Sequence, residues 1–224
     1  MPMKASGRAD PDVIDDFDGG VSWIAYPEEA MQRASHALVD GEDVWVVDPV
    51  DFDGLDELLD DHGTVRGVVL LLDRHMRDAD EVARRHEVPV YVPDWMDGVE
   101  SDLSAPVERL HRDLPDSEYG VHRVVDNALW QEAALYGEDS RTLVVAESVG
   151  TADFFLAGDE RLGVPPARRL TPPNRLERLS PDRVLVGHGA GVFDGASEAL
   201  ADALDGSRRR APWLYAKAAR EFLL

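Results

Sequence analysis

The run of residues 67–93, GVVLLLDRHMRDADEVARRHEVPVYVP, constrains the fold more than any other stretch of the chain. Apolar residues fill 68–72, and Asp73, Arg74, His75, Arg77, Asp78 and Asp80 then fall close together. A helical pattern and a second apolar run, 88–92, complete it. A short continuous apolar run reads as a buried strand, and strand, helix, strand over this length reads as a βαβ unit. Ionisable groups crowded where a buried strand gives way to a helix cost desolvation free energy unless paired, metal-bound or catalytic. This edge is therefore the expected border of a functional site.

Three other apolar runs end in the same way. VWVVDP delivers Asp48, TLVVAES delivers Glu147, and VLVGHG delivers His188. In α/β sheets the C-terminal ends of strands are where ligand sites are built. The remaining pattern supports one α/β domain over 1–224. Residues 1–17 read as a loose arm or a short first strand, and 21–26 as a strand. Residues 27–40 hold a strand or a short helix, and 52–62 a helix stopped by Gly63. Residues 99–120 read as a polar connection, 121–125 and 133–136 as antiparallel strands, 158–173 as a surface loop and 175–179 as a short helix. Two C-terminal helices are expected, at about 195–204 and 211–224, with 207–224 a C-terminal helix that packs on the core or covers a partner chain.

Composition narrows the chemistry. There is no cysteine, which excludes disulfides, thiolate ligands and a cysteine nucleophile. The formal net charge is −22, with lysine only at Lys4 and Lys217. An acid-rich, lysine-poor surface suits a cytosol of high salt, where screening weakens self-repulsion. The same charge argues against nucleic acid, which needs a cationic face. No apolar stretch reaches the length of a membrane span, and no basic, apolar leader is present in the first residues. A cytoplasmic protein is expected. His36, His62, His86, His111 and His122 belong to no constellation. Ser148 lacks the glycines of a nucleophile elbow, and 187–191 (GHGAG) is not followed by the Lys-Ser/Thr of a phosphate loop.

The order of these endings, an apolar strand with Asp-Pro, a strand with a His/Asp cluster leading into a helix, VPVYVP, a strand ending in an acid, and VLVGHG, resembles the metallo-β-lactamase superfamily. The resemblance spans roughly 22–204. It implies an αββα four-layer sandwich, a metal site between the sheets, and hydrolase chemistry on an ester or thioester. Laid on the family's His-x-His-x-Asp-His signature, the ligand positions fall on Asp73, His75, Arg77 and Asp78. The bridging acid falls on Glu147, the last histidine on His188, and a supporting acid on Asp48.

This implies metal ligands Asp73, His75, Asp78, Glu147 and His188, with Asp78 or Glu147 orienting a water. No histidine stands at 126–128, where the family keeps another. Arg77 departs from the signature, because a guanidinium cannot ligate a cation. Two readings stay open. One is a single divalent ion, zinc before manganese or magnesium, acting on a small-molecule substrate. The other is a metal-free, non-catalytic descendant that binds a ligand or partner, with Arg77 forked onto Asp78, Glu147 or Asp73.

Overall fold

The computed structural model describes residues 2–5, 7 and 9–222. Seven strands form one sheet in sequence order: β1 (Asp12–Phe17), β2 (Gly20–Ile24), β3 (Ala34–Asp40), β4 (Asp43–Val47), β5 (Thr64–Val69), β6 (Val90–Pro93) and β7 (Val107–Leu110). β1 to β4 run antiparallel, and β4 to β7 run parallel. Parallel neighbours need crossovers: two short helices, α1 (Leu55–Asp60) and α2 (Ala79–Arg85), supply the first two, and a 3-10 turn at Val99–Asp102 lies in the third. Residues 64–93 thus form the expected βαβ unit, with Val68 paired to Val90.

A second sheet has the order β11 (Arg183–Val186), β10 (Thr142–Val145), β9 (Trp130–Gly137), β8 (Tyr119–Asn127), with β10 and β11 parallel. The first part of the chain contributes β1, an edge strand, in place of a loose arm.

The layers follow from where apolar side chains go. On one face of the large sheet, Val44, Val46, Val68 and Val90 pack with Leu55 and Leu59 of α1 and Val82 and Ala83 of α2. On its other face, Trp45, Val47, Val69 and Leu71 meet Val125, Leu135, Val144 and Val186 of the small sheet. The same core takes in Ala196, Leu200 and Leu204 of a long C-terminal helix, α3 (Ala196–Phe222). The architecture is the four-layer αββα sandwich.

Two elements differ from expectation. β7 lies within what reads as a polar connection, because its only core residues are Val107 and Leu110 and its pairing comes from a strand seventeen residues earlier. The two expected C-terminal helices are one. Gly206 does not break the helix, because it makes room for Arg210: a Cβ there would lie 1.9 Å from Arg210 Nη1. Arg210 instead reaches back to Asp202, 3.0 Å from its carbonyl and 2.8 Å from Oδ1. Leu214 packs inward, while Trp213 and Tyr215 stay exposed. Residues 223 and 224 lie outside those described.

The two sheets are stitched at two seams. Beyond β5 the chain leaves the large sheet and bonds β9, with Ala133 N–H 2.8 Å from Leu71 O and Asp73 N–H 3.1 Å from Gln131 O. At the other seam Ala34 N–H donates to Gly187 O at 3.0 Å, and Gly189 N–H to Gln32 O at 2.9 Å. The four charged strand endings lie between these seams.

Candidate metal centre

Asp48 follows β4 with φ +44, a conformation that costs free energy for a residue with a Cβ. Its surroundings hold it there. The backbone N–H donates to Val69 O, and Ser35 Oγ donates to its carbonyl, each at 3.0 Å. The carboxylate is buried. Oδ1 receives Leu71 N–H at 3.0 Å, and Oδ2 lies 3.0 Å from His75 Nδ1. Burial pushes the Asp48 carboxyl up to about 6, against the pull of the nearby Arg77 charge.

His75 is thereby fixed in one tautomer. Nδ1–H donates to Asp48, so Nε2 carries the lone pair, directed at Glu147 Oε2 3.9 Å away. Its backbone N–H closes a turn onto Leu72 O at 2.9 Å. Burial, then the Arg77 charge, holds the imidazole pKa well below its ordinary value, so the ring is neutral.

His188 is oriented in the same sense from the other sheet. Nδ1 donates to Met31 O at 2.8 Å, and the ring stands 5.4 Å from that of His75. Gly187 allows the approach: a Cβ there would fall 2.2 Å from Ala146 O. The N–H groups of Thr151 and Ala152 both bond His188 O at 3.0 Å, and Phe155 packs 5.5 Å from the ring. His188 Nε2 is buried and has no hydrogen-bond partner. Burial and the neighbouring His75 depress its pKa as well.

Glu147 is placed by its own backbone. Its N–H donates to Glu132 Oε1 at 2.8 Å, as does that of Ser148. Burial raises the Glu147 carboxyl pKa, with the Glu132 charge adding to the effect. His75, Glu147 and His188 together bring one ligand atom each to within 4.8 Å of one another.

The other predicted positions go elsewhere. Asp73 bonds Gln131 N–H at 2.8 Å and Arg74 Nε at 3.1 Å, stitching the first seam. Asp78 stands before α2 and accepts Asp51 N–H at 2.8 Å, lining a separate cavity of about 630 Å³ with Asp51, Asp56 and Arg85. Neither joins the ligand cluster.

Arg77, with φ +41, does not fork onto Asp73, Asp78 or Glu147. It donates to main-chain oxygens: Nη1 to Ala34 and Asp48, the latter at 2.8 Å, and Nη2 to Gly187 at 3.0 Å. Burial brings its pKa down to about 10, still far above neutrality.

Glu132 is the residue that sequence reasoning missed. Fully buried, it accepts four hydrogen bonds: from Glu147 N, Ser148 N, Ser148 Oγ and Trp130 Nε1. The signal was a lone carboxylate at the edge of an apolar strand, in WQEAALY. Such a group is buried only when its lone pairs are satisfied.

The residues fit one divalent ion. Two neutral imidazole nitrogens and a carboxylate oxygen form a three-donor set that leaves a fourth position open. Carboxylate or carbonyl partners on Nδ1 of each histidine are what metal-binding imidazoles require. The unpartnered Nε2 of His188 is the atom such an ion would satisfy.

Sheets facing each other across a site built at strand ends, with helices outside, make this the metallo-β-lactamase fold. No protein-family model and no curated protein matches the sequence. Among solved structures, the DIM-1 metallo-β-lactamase is similar with a TM-score of 0.63 and 13% identity, over 92% of this chain and 99% of that one. A metallo-β-lactamase from Pontibacter korlensis gives 0.56 and 14%, over 90% and 97%. The chemotaxis sensor ODP from T. denticola gives 0.53 and 14%, over 89% and 94%, and another structure of ODP is described as a peroxy diiron species. These likenesses establish the fold.

Proposed function

We propose that the chain is a metal-dependent hydrolase of the metallo-β-lactamase type, holding one divalent ion on His75, Glu147 and His188 and acting on a small ester or thioester. The observation that carries this reading is His188 Nε2, buried without a partner opposite His75 Nε2 and Glu147. Two imidazoles among three donors favour zinc over manganese or magnesium. Bound there, the ion supplies Lewis acidity for attack on an acyl carbon. Asp48 holds His75 in its ligating tautomer. Burial, with the Arg77 charge adding to it, keeps both imidazoles neutral at physiological pH, ready to ligate. The second oxygen of Glu147 accepts a hydrogen bond from the attacking water. Asp78, engaged by Asp51, takes no part.

Arg77 favours a second reading, a metal-free protein for ligand or partner binding. Its cation already joins the ends of β3, β4 and β11, so both sheets close without an ion. Metal analysis of protein purified without chelator separates the two. About one ion per chain is expected, with a melting temperature that falls in EDTA and ester or thioester turnover that His188→Ala abolishes. Metal below ~0.1 per chain, with stability indifferent to EDTA, would sink the hydrolase reading.

A further inference from the structure

The site is closed on the His188 side and reaches solvent on the Glu147 side. His188 is 1% exposed, while the side chain of Glu147 keeps 17%. Around that open edge stand Arg74, Arg168 and Trp130, with Asp73 the acid paired to Arg74, in a chain of net charge −22. Arg74 adjoins His75 in the chain, and its Nη2 donates to Leu129 O at 3.2 Å, which ties it to the tip of the β8–β9 hairpin.

Trp130 is a fixed plate at this edge. Its Nε1–H donates to Glu132 Oε2 at 2.8 Å, and Glu132 also holds the backbone of Glu147. One buried carboxylate therefore ties Trp130 to Glu147. Two guanidinium groups lie against the indole, Arg74 at 4.4 Å and Arg168 at 5.8 Å from the ring centroid. Arg74 is partly engaged by Asp73 Oδ1 at 3.1 Å and Leu129 O at 3.2 Å. The Arg168 side chain makes no hydrogen bond or ion pair among the described residues, and its Nε is buried. Leu129, 88% exposed, precedes the indole at the hairpin tip.

A single arginine on a tryptophan serves packing well enough. Two on one ring repel each other, and the arrangement is stabilised when an oxyanion accepts from their free N–H groups. We infer that Trp130, Arg74 and Arg168 form an oxyanion-binding mouth at the Glu147 edge. The substrate then carries a carboxylate or phosphate joined to an apolar portion that rests on the exposed Leu129, beside the buried Trp130. This names the substrate class of the reaction proposed above and rests on that reading for the chemistry, whereas the anion binding needs no ion.

The test titrates EDTA-treated protein with hexanoate, monohexyl phosphate and 1-hexanol. Binding is followed on the indole N–H signals of the five tryptophans by two-dimensional NMR, with Trp130→Phe assigning the signal that matters. The Trp130 signal is expected to move saturably with at least one anion and not with hexanol, and the tighter anion identifies the head group. Arg168→Met weakens binding about tenfold, the worth of one charge-assisted hydrogen bond, and Arg74→Met weakens it in the same direction. Melting temperature checks that each variant is folded. The inference is overturned by the absence of a saturable shift, by equal binding of hexanol, or by unchanged affinity in both methionine variants. Such a failure with the metal content intact removes the mouth and leaves the hydrolase reading. Intact anion binding in a protein that holds no metal does the reverse.

Discussion

Nη2 of Arg77 lies 3.0 Å from the carbonyl oxygen of Gly187, so the connection after β5 in one sheet grips the end of β11 in the other. The guanidinium also serves Ala34 and Asp48, and these carbonyls lie where water has little access. Arg77→Met is expected to lower stability by about 3 kcal/mol, since it strands buried acceptors that a charged donor had satisfied. It also removes a positive charge from beside the ligand cluster, so zinc affinity of the folded variant should rise. Chemical denaturation and competitive metal titration read the two effects. A variant as stable as the parent would contradict the staple role.

Glu132→Gln tests the buried acceptor behind Glu147. The substitution turns Oε2, which receives Trp130 Nε1–H and Ser148 Oγ–H, into an amide that donates. A cost of about 2–3 kcal/mol in stability is expected. Metal affinity should drop about tenfold or more, because Ser148, next to Glu147, loses its acceptor and shifts the turn that aims Glu147. Unaltered metal affinity in a folded Glu132→Gln protein would show that Glu147 is aimed by something else.

His36 gives stability a pH dependence. It is buried with Nδ1 2.8 Å from Ser22 Oγ, and burial brings its pKa from 6.5 down to about 4. Between those values the unfolded chain binds a proton that the native state refuses, so this contribution is complete above pH 6.5 and is lost as pH falls towards 4. Asp48 acts oppositely. Its pKa, raised from 3.8 to about 6, makes the native state weaker as pH rises through that window. The stability difference between the parent and His36→Gln should therefore shrink by on the order of 3 kcal/mol from pH 6.5 to 4. Asp48→Asn should steepen the loss on acidification. Parallel curves for the parent and His36→Gln would mean that the imidazole is protonated in place.

A net charge of −22 predicts salt-dependent folding. Screening shortens from ~10 Å at 0.1 M to ~3 Å at 1 M salt, which relieves self-repulsion of the compact state. The melting temperature should climb by several degrees as potassium chloride is raised through that range. A flat profile would remove the argument that the acidity is an adaptation to salt.

Much of the site's location was legible in the chain. VWVVDP, VVLLLD, TLVVAE and VLVGH each pair a buried strand with a residue that cannot be buried cheaply, so Asp48, His75, Glu147 and His188 pointed to one edge. Their partners were not legible. Whether Arg77 meets carboxylates or carbonyls depends on a left-handed backbone turn and on a strand more than a hundred residues later. Asp78 and Asp73 look like ligands in one dimension, but both are directed away, one to the turn before α1 and one to a β-seam. β7 depends on long-range pairing, Val107 with Val90 of β6, and the unbroken α3 on Arg210 folding over Gly206 one turn away, which the residue types alone do not announce.

The two seams between the sheets set a timetable for the chain as it folds. Asp48 and His75 lie in the half made first, while Glu147 and His188 arrive only with β10 and β11. No arrangement of the first 140 residues can assemble the cluster. On the proposed reading, an ion captured there would act as a clasp on a finished sandwich and could not seed it, so the kinetics of metal uptake during refolding would time the docking of the two sheets.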